Sequence, residues 1–187
     1  MRAALPACDG WSARWVSERH ERVEIDSGIT KAPWVMEDEG VMLTVQVGSG
    51  RGYAATADTS PSGLREAATR AKGWAEHARD AGIFDMSATP FTAAVGSWSG
   101  PVARPMSDVP FAERLALLSA ASAPIVGFAP VVQWTANLWS RHLRTRLVTS
   151  AGGDLQQETS MVVPLLMAFA KDGRDTLARS TGRHNGA

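Results

Sequence analysis

The segment from Val41 to Val47 constrains the fold more than any other. Val41, Leu43, Val45 and Val47 alternate with Met42, Thr44 and Gln46, a period of two that sends one set of side chains to a core and the other to the opposite face. Gly48-Ser49-Gly50 follows as a turn, and Arg51 to Thr56 supplies the returning strand. A half-buried antiparallel hairpin is therefore expected at this point. Upstream, Trp11, Ala13 and Trp15 alternate with Ser12, Arg14 and Val16. The same strand is expected to resume at Val23 and Ile25, beyond the polar stretch Ser17 to Arg22. Asp26-Ser27-Gly28 has turn chemistry. Ile29 to Met36 is expected to be a short strand, and Glu37-Asp38-Glu39-Gly40 the next turn.

A helix must follow. Ser60-Pro61 places a capping hydroxyl before a proline suited to the first helical position. Leu64, Ala67, Ala68, Ala71, Trp74, Ala75 and Ala78 recur at helical spacing. The stripe is mostly alanine, so the helix can lie close to a sheet, with Trp74 as its one large anchor. Arg79 suits the last turn, and Gly82 is placed to end the helix. Residues 85–107 contain Pro90, Pro101, Pro105, Gly96 and Gly100 and are expected to form a long irregular connection. A second helix is predicted from about Pro110 to Ser122, with Phe111, Leu115, Leu118 and Ala121 or Ser122 inward, stopped by Pro124. The last third is again strand-like: Val131 to Leu138, Trp139 to Ser150 and Leu155 to Ala170, with Ala151-Gly152-Gly153-Asp154 as a hairpin turn. Trp134 and Trp139 are an odd number of positions apart, so they face opposite ways and one is expected to be partly exposed.

The fold class expected from this order is α+β: an antiparallel or mixed sheet of meandering strands with two helices packed on one face. Residues 1–84 form the meander and the alanine-rich helix, 85–109 the connection, and 110–180 a helix with antiparallel strands, all parts of one domain. Residues 181–187 are a polar, glycine-bearing tail expected to stop short of a finished element.

Composition narrows the function. Hydrophobic residues make up 44% and charged residues 20%, the profile of a globular chain rather than a disordered one. Lysine plus arginine and aspartate plus glutamate balance at 19 each, whereas a nucleic-acid binder shows a basic excess or stripe. The densest arginine group, Arg141, Arg144 and Arg146, sits in a strand-like segment. No secretory signal is visible in MRAALPACDG. The longest apolar run, Met161 to Ala170, is interrupted by Pro164 and too short to span a bilayer. The single cysteine, Cys8, cannot form an internal disulfide. The expectation is a cytoplasmic protein that binds neither nucleic acid nor membrane.

No catalytic, cofactor-binding or metal-binding residue can be assigned from the sequence. His20, His77, His142 and His184 are too far apart for two of them to meet one turn apart on a helix, as a helical zinc site requires. Glu76 and His77 are adjacent and diverge by about 100° around a helix. Glu37-Asp38-Glu39 is expected to be solvated rather than to grip a hard cation. Gly48, Gly50 and Gly52 lead from strand to strand and so are hairpin glycines, not a phosphate cradle. Cys8 has no histidine near it in sequence to make it a nucleophile.

A family resemblance adds to this. Glu39 to Val47 followed by Gly48 to Thr56, then Asp58, Ser60-Pro61 and the alanine-rich Leu64 to Ala78, resembles the N-terminal domain of the TldD/PmbA family. Arg22-Val23-Glu24-Ile25 with Gly28 is similar to the family's early strand. Leu147 to Gln157 resembles its later hairpin, and Lys171 to Asp175 the polar turn after it. The likeness runs over about residues 11 to 180. It implies the N-terminal, non-catalytic part of a zinc metallopeptidase that cleaves or matures peptides, from a family also named for modulation of DNA gyrase. The family's HExxxH zinc helix and later cysteine lie in its C-terminal half, so zinc is expected there and no cofactor in these residues. A TldD/PmbA-type subunit is the implied partner, within an oligomer whose full assembly takes a peptide substrate. The family usually has a helix before the first strand, and only about ten residues precede it here; with the unfinished tail, this leads to the expectation of a fragment. The alternative is a stand-alone interaction or regulatory module, similar to the family's zinc-less subunit, that binds a partner or an extended peptide along a sheet edge.

Overall fold

A computed structural model describes residues 6–82, 84–182 and 185–186. His184 and Ala187 lie outside the described residues, as do positions 1–5. Among the described residues there are nine strands and two α-helices. In chain order they are β1 (Gly10–Asp26), β2 (Ile29–Thr30), β3 (Trp34–Val47), β4 (Gly50–Thr56), α1 (Pro61–Ala81), β5 (Val95–Ser99), α2 (Phe111–Ser122), β6 (Val131–Thr149), β7 (Asp154–Asp172), β8 (Asp175–Thr181) and β9 (Asn185–Gly186). The sheet order is β4-β3-β1-β6-β7-β5, with β2 on β1 and both β8 and β9 on β7. β5 runs parallel to β7, pairing Val95 with Asp154 and Ser99 with Glu158, so the sheet is mixed and the fold α+β.

The chain packs into two compact units. The first comprises Met1–Glu18, Asp38–Ser99 and Leu143–Glu158; the second comprises Arg19–Glu37, Gly100–His142 and Thr159–Ala187.

In the first unit β3 and β4 form the expected hairpin, in register from Val41↔Thr56 to Val47↔Gly50. Gly48, at φ +55°, supplies the left-handed turn residue. Val41, Leu43 and Val45 are buried, as their alternation requires. α1 begins as predicted, with Ser60 Oγ accepting a hydrogen bond from the Gly63 N–H at 3.2 Å. Its inward face is Ala67, Ala68, Ala71 and Ala75, all fully buried. They allow the helix to press against β4 at two glycines. A Cβ on Gly50 would lie 2.0 Å from the Ala75 carbonyl oxygen, and one on Gly52 would lie 2.1 Å from that of Ala71. These two glycines therefore serve helix–sheet contact, whereas the turn itself needs only Gly48. The core here joins Trp11, Ala13, Val41 and Leu43 to Ala67 and Ala68.

Gly82 ends α1 as expected, in an extended conformation with φ −77° and ψ 144°. Two expectations fail. Trp74 does not anchor the helix: it is 62% exposed, because the alanines leave no space beneath α1 for an indole. Residues 85–107 are not wholly irregular. They hold two short 3₁₀ turns, Met86–Ala88 and Met106–Asp108, and between them the strand β5. The Arg51 guanidinium fastens the first of these to β4, donating to the Thr89 carbonyl at 2.6 Å and lying 4.5 Å from the Phe91 ring centroid.

Glu37-Asp38-Glu39-Gly40 is not a turn either, but lies inside β3. Each of the two glutamates has a partner: Arg19 donates to Glu37, and Trp15 Nε1 donates to Glu39 at 3.0 Å. The run of charge is thereby accommodated in an exposed extended segment. The expected strand Ile29–Met36 correspondingly splits, its first two residues forming β2 and Trp34–Met36 belonging to β3.

In the second unit, Ser27 and Gly28 adopt φ of 48° and 87° and return β1 into β2, as the Asp26-Ser27-Gly28 signal predicts. Val23 and Ile25 of β1 pack with Leu118, Trp134, Ala136 and Leu138. α2 has the predicted bounds, and of the positions expected inward Leu118 and Ser122 are buried and Leu115 packs against the core. Phe111 is instead 38% exposed, and Arg114 is buried in addition. Arg114 turns inward because each of its three guanidinium nitrogens is hydrogen-bonded. Nε donates to the Val109 carbonyl at 2.8 Å, Nη2 to the Met106 carbonyl at 2.5 Å, and Nη1 to the Glu21 carboxylate. β6 runs through Trp139 without a break; Trp134 is buried and Trp139 half-buried. β8 pairs antiparallel with β7 from Asp172↔Asp175 to Leu166↔Thr181, beyond the turn at Gly173.

Candidate functional site

The titratable side chains singled out in the sequence do not converge among the described residues. Among the described residues, no three His, Cys, Asp or Glu side chains are grouped to hold a metal ion. His77 lies on the exposed side of α1, edge-on to Trp74 at 6.4 Å. His20 stacks at a tilt on Trp139 at 5.4 Å, and His142 Nδ1 lies 3.1 Å from Ser160 Oγ. Cys8 packs beside the first core. Burial is the main influence pushing its thiol above the ordinary range, and Asp9 adds to it. Glu37, Asp38 and Glu39 are exposed along β3. No described helix is long and apolar enough to cross a membrane.

The concave feature of the first unit is a groove of about 600 Å³. It crosses the sheet from Val41 on β3 and Trp15 on β1, past Arg144 and Arg146 on β6 and Gln156 to Glu158 on β7, to Ser97–Ser99 on β5. Thr59 and Leu64, at the start of α1, also line it. Strand order accounts for this assembly: β3, β1, β6, β7 and β5 are successive neighbours, so positions far apart in the chain line up across the sheet. All five residues of β5 are exposed, and Trp98 is 56% exposed. Among the described residues β5 pairs only with β7, so its other edge presents main-chain donors and acceptors.

The charges within the groove are not equivalent. Arg146 is bound to Asp154 through two bonds of 2.9 and 2.7 Å, and the Arg146 hydrogen bond holds the Asp154 carboxyl below its usual range. The Arg144 guanidinium instead lies 5.7 Å from the Trp15 ring centroid, a cation–π geometry. It has no carboxylate partner among the described residues. Trp15 is itself oriented by its bond to Glu39. Arg144, Trp15 and Trp98 carry no local motif, and their relation depends on strand order. The signals in the sequence are the arginine density on β6 and the seven tryptophans of the chain.

In the second unit a shallower hollow of about 350 Å³ is bordered by Arg19, Glu21, Arg22, Trp34, Phe111 and Arg114. Its charges are mutually satisfied. Glu21 accepts from Arg19 and Arg114, and Arg22 lies near Glu24 and over Trp34.

Comparison with known proteins agrees with the resemblance seen in the sequence. The family described as PmbA/TldA metallopeptidase domain 1 matches residues 11–75. No curated protein matches the chain. Among solved structures, the fold is similar to a proposed modulator of a DNA gyrase from Thermotoga maritima. That pair has 12% identity and a TM-score of 0.72, over 94% of this chain and 39% of the other. It is similar as well to a proposed modulator of DNA gyrase from Bacteroides thetaiotaomicron, at 8% identity and a TM-score of 0.73, over 97% of this chain and 43% of that one. TldE from Thermococcus kodakarensis gives 12% identity and a TM-score of 0.62, over 95% and 40%. The chain thus spans about two fifths of the length of these structures.

Proposed function

Because residues 11–75 match the first domain of the PmbA/TldD metallopeptidase family, we propose that this chain is the non-catalytic N-terminal portion of a peptidase of that type. Its part is to handle peptide while a zinc-bearing portion or subunit performs hydrolysis. The family match is the observation that carries this, and the scattered histidines support it. A helical zinc motif needs two histidines about one turn apart, which His20, His77, His142 and His184 do not offer each other. In this setting the partner is a PmbA/TldD-type subunit carrying the HExxxH helix, and the substrate is an unfolded peptide.

A second possibility is a self-sufficient interaction module. The exposed edge of β5 and the groove beside it favour it, because an extended peptide can add to such an edge through its main chain. The two differ in what the chain needs. Zinc content and peptide cleavage are to be measured on the purified chain, alone and with a zinc-bearing PmbA/TldD-type subunit. The first expects no stoichiometric zinc alone, co-elution with the subunit, and chelator-sensitive cleavage only in the mixture. Chelator-sensitive cleavage by the chain alone would overturn it. Peptide binding without any association with the subunit would favour the module.

A further inference from the structure

We infer that the groove of the first unit selects an extended peptide carrying an acidic side chain, with Arg144 as the residue that receives the carboxylate. This rests on the peptide-handling role proposed above and adds a preference to it.

The geometry of Arg144 carries the inference. A guanidinium has five donors in a planar fork that matches a carboxylate. Here its Cζ lies over the Trp15 ring, 5.7 Å from the centroid, a contact that uses none of the N–H donors in a hydrogen bond to a carboxylate. The neighbouring carboxylates are already engaged: Asp154 by Arg146, Glu39 by Trp15 Nε1, and Glu158 in an interaction of its own. A ligand carboxylate is therefore the complement the groove lacks, and a charge-assisted forked pair is among the stronger polar contacts available.

The surroundings suit a peptide rather than a small anion. The groove crosses five strands, four inter-strand steps of about 4.8 Å, or roughly 19 Å in all. At about 3.3 Å per extended residue this accommodates roughly six residues. Gln156, Gln157, Ser97 and Ser99 are among the lining residues, and amide and hydroxyl groups can both donate and accept, as a peptide main chain requires. Trp98 adds exposed apolar surface. One groove cation without a carboxylate partner among the described residues, in a chain whose acidic and basic residues balance at 19 each, does not match the phosphate ladder of a nucleic acid.

The test uses two fluorescein-labelled eight-residue peptides of alanine and serine, capped at both ends and differing only in a central Glu or Gln. Binding to the full chain is followed by fluorescence anisotropy at low salt. The Glu peptide is expected to bind about tenfold more tightly, the order of a charge-assisted contact, and the advantage should shrink as salt is raised. Arg144→Gln should abolish the difference between the two peptides. Arg144→Lys, which keeps charge but loses the fork, should retain part of it; it also carries the test if the Gln variant misfolds by circular dichroism. Arg174→Gln, on the exposed turn between β7 and β8, should behave as the parent. Equal affinity for the two peptides would overturn the inference and leave peptide handling standing. A preference that survives Arg144→Gln would also overturn it. Failure of both peptides to bind would remove the inference and the peptide-handling role together.

Discussion

Gly52 and Gly73 should respond in opposite directions to the same substitution. Gly52 lies under α1, and a Cβ there would sit 2.1 Å from the Ala71 carbonyl oxygen, 2.3 Å from the Ala75 nitrogen and 2.8 Å from the Trp74 carbonyl carbon. All three atoms are main chain and cannot rotate away, so Gly52→Ala requires α1 to rise by about 1 Å to restore ordinary contact distances. That shift loosens Ala67, Ala68, Ala71 and Ala75, now fully buried. Overpacking of this kind costs about 1–3 kcal/mol, and the rigidity of the neighbours puts this case near 3. Gly73, on the open side of the same helix, has nothing within 4 Å of its would-be Cβ. Gly73→Ala should instead stabilise by about 0.5–1 kcal/mol through helix propensity. For a chain of this size, about 1 kcal/mol moves the melting temperature by roughly 2–4 °C. Gly52→Ala should therefore melt roughly 6–12 °C lower, and Gly73→Ala a few degrees higher, by far-UV circular dichroism. A Gly52→Ala protein that melts within 2 °C of the parent would refute the close approach of helix and strand.

Three further outcomes are expected. Trp74→Ala should change the urea midpoint by less than the equivalent of about 0.5 kcal/mol, as for an exposed side chain; a loss in the range of about 3–5 kcal/mol, typical of a buried indole, would restore the anchor role expected from its spacing. Burial alone raises the Glu21 carboxyl, but hydrogen bonds from Arg114 and Arg19 outweigh it and leave the folded value below the ordinary one of 4.5. That pairing thus stabilises fully above the unfolded value and is lost as pH falls through the folded one; in urea titrations at a series of pH values, Glu21→Gln should flatten the acid limb, and an unchanged acid limb would contradict the pairing. Burial chiefly raises the Cys8 thiol, so its alkylation at neutral pH should be slower than that of free cysteine, with the rate still climbing above pH 9; a rate matching free cysteine would show the thiol to be open.

Elements built from near neighbours were legible in the sequence. The β3–β4 hairpin follows from the alternation of Val41 to Val47 and a glycine turn, and α1 from Ser60-Pro61 and its alanines. The family likeness over residues 11–75 was visible for the same reason. Elements decided by distant partners were not legible. Glu37 to Gly40 read as a turn because their charge is accommodated by Arg19 and Trp15, some twenty positions away. Arg114 was not among the inward positions expected of α2, because Glu21, 93 positions earlier, is what draws it in. β5 was hidden among prolines and glycines, since its alignment comes from β7 and not from its own pattern. The groove inherits the same difficulty, being assembled from five strands with no two of its aromatic or cationic walls adjacent in the chain.

The parallel pairing of Val95 with Asp154 bears on the order of folding. Its two sides are separated by 59 positions, so the loop must close before any contact rewards it, whereas the β3–β4 and β6–β7 hairpins close over a few residues. With every side chain exposed, β5 contributes no buried apolar residue to either core. It is the strand expected to join last and to detach first, at a free energy below that of global unfolding. Since Ser97 to Ser99 form one wall of the groove, that same weak attachment makes the groove's width adjustable without disturbing the hairpins that hold its floor.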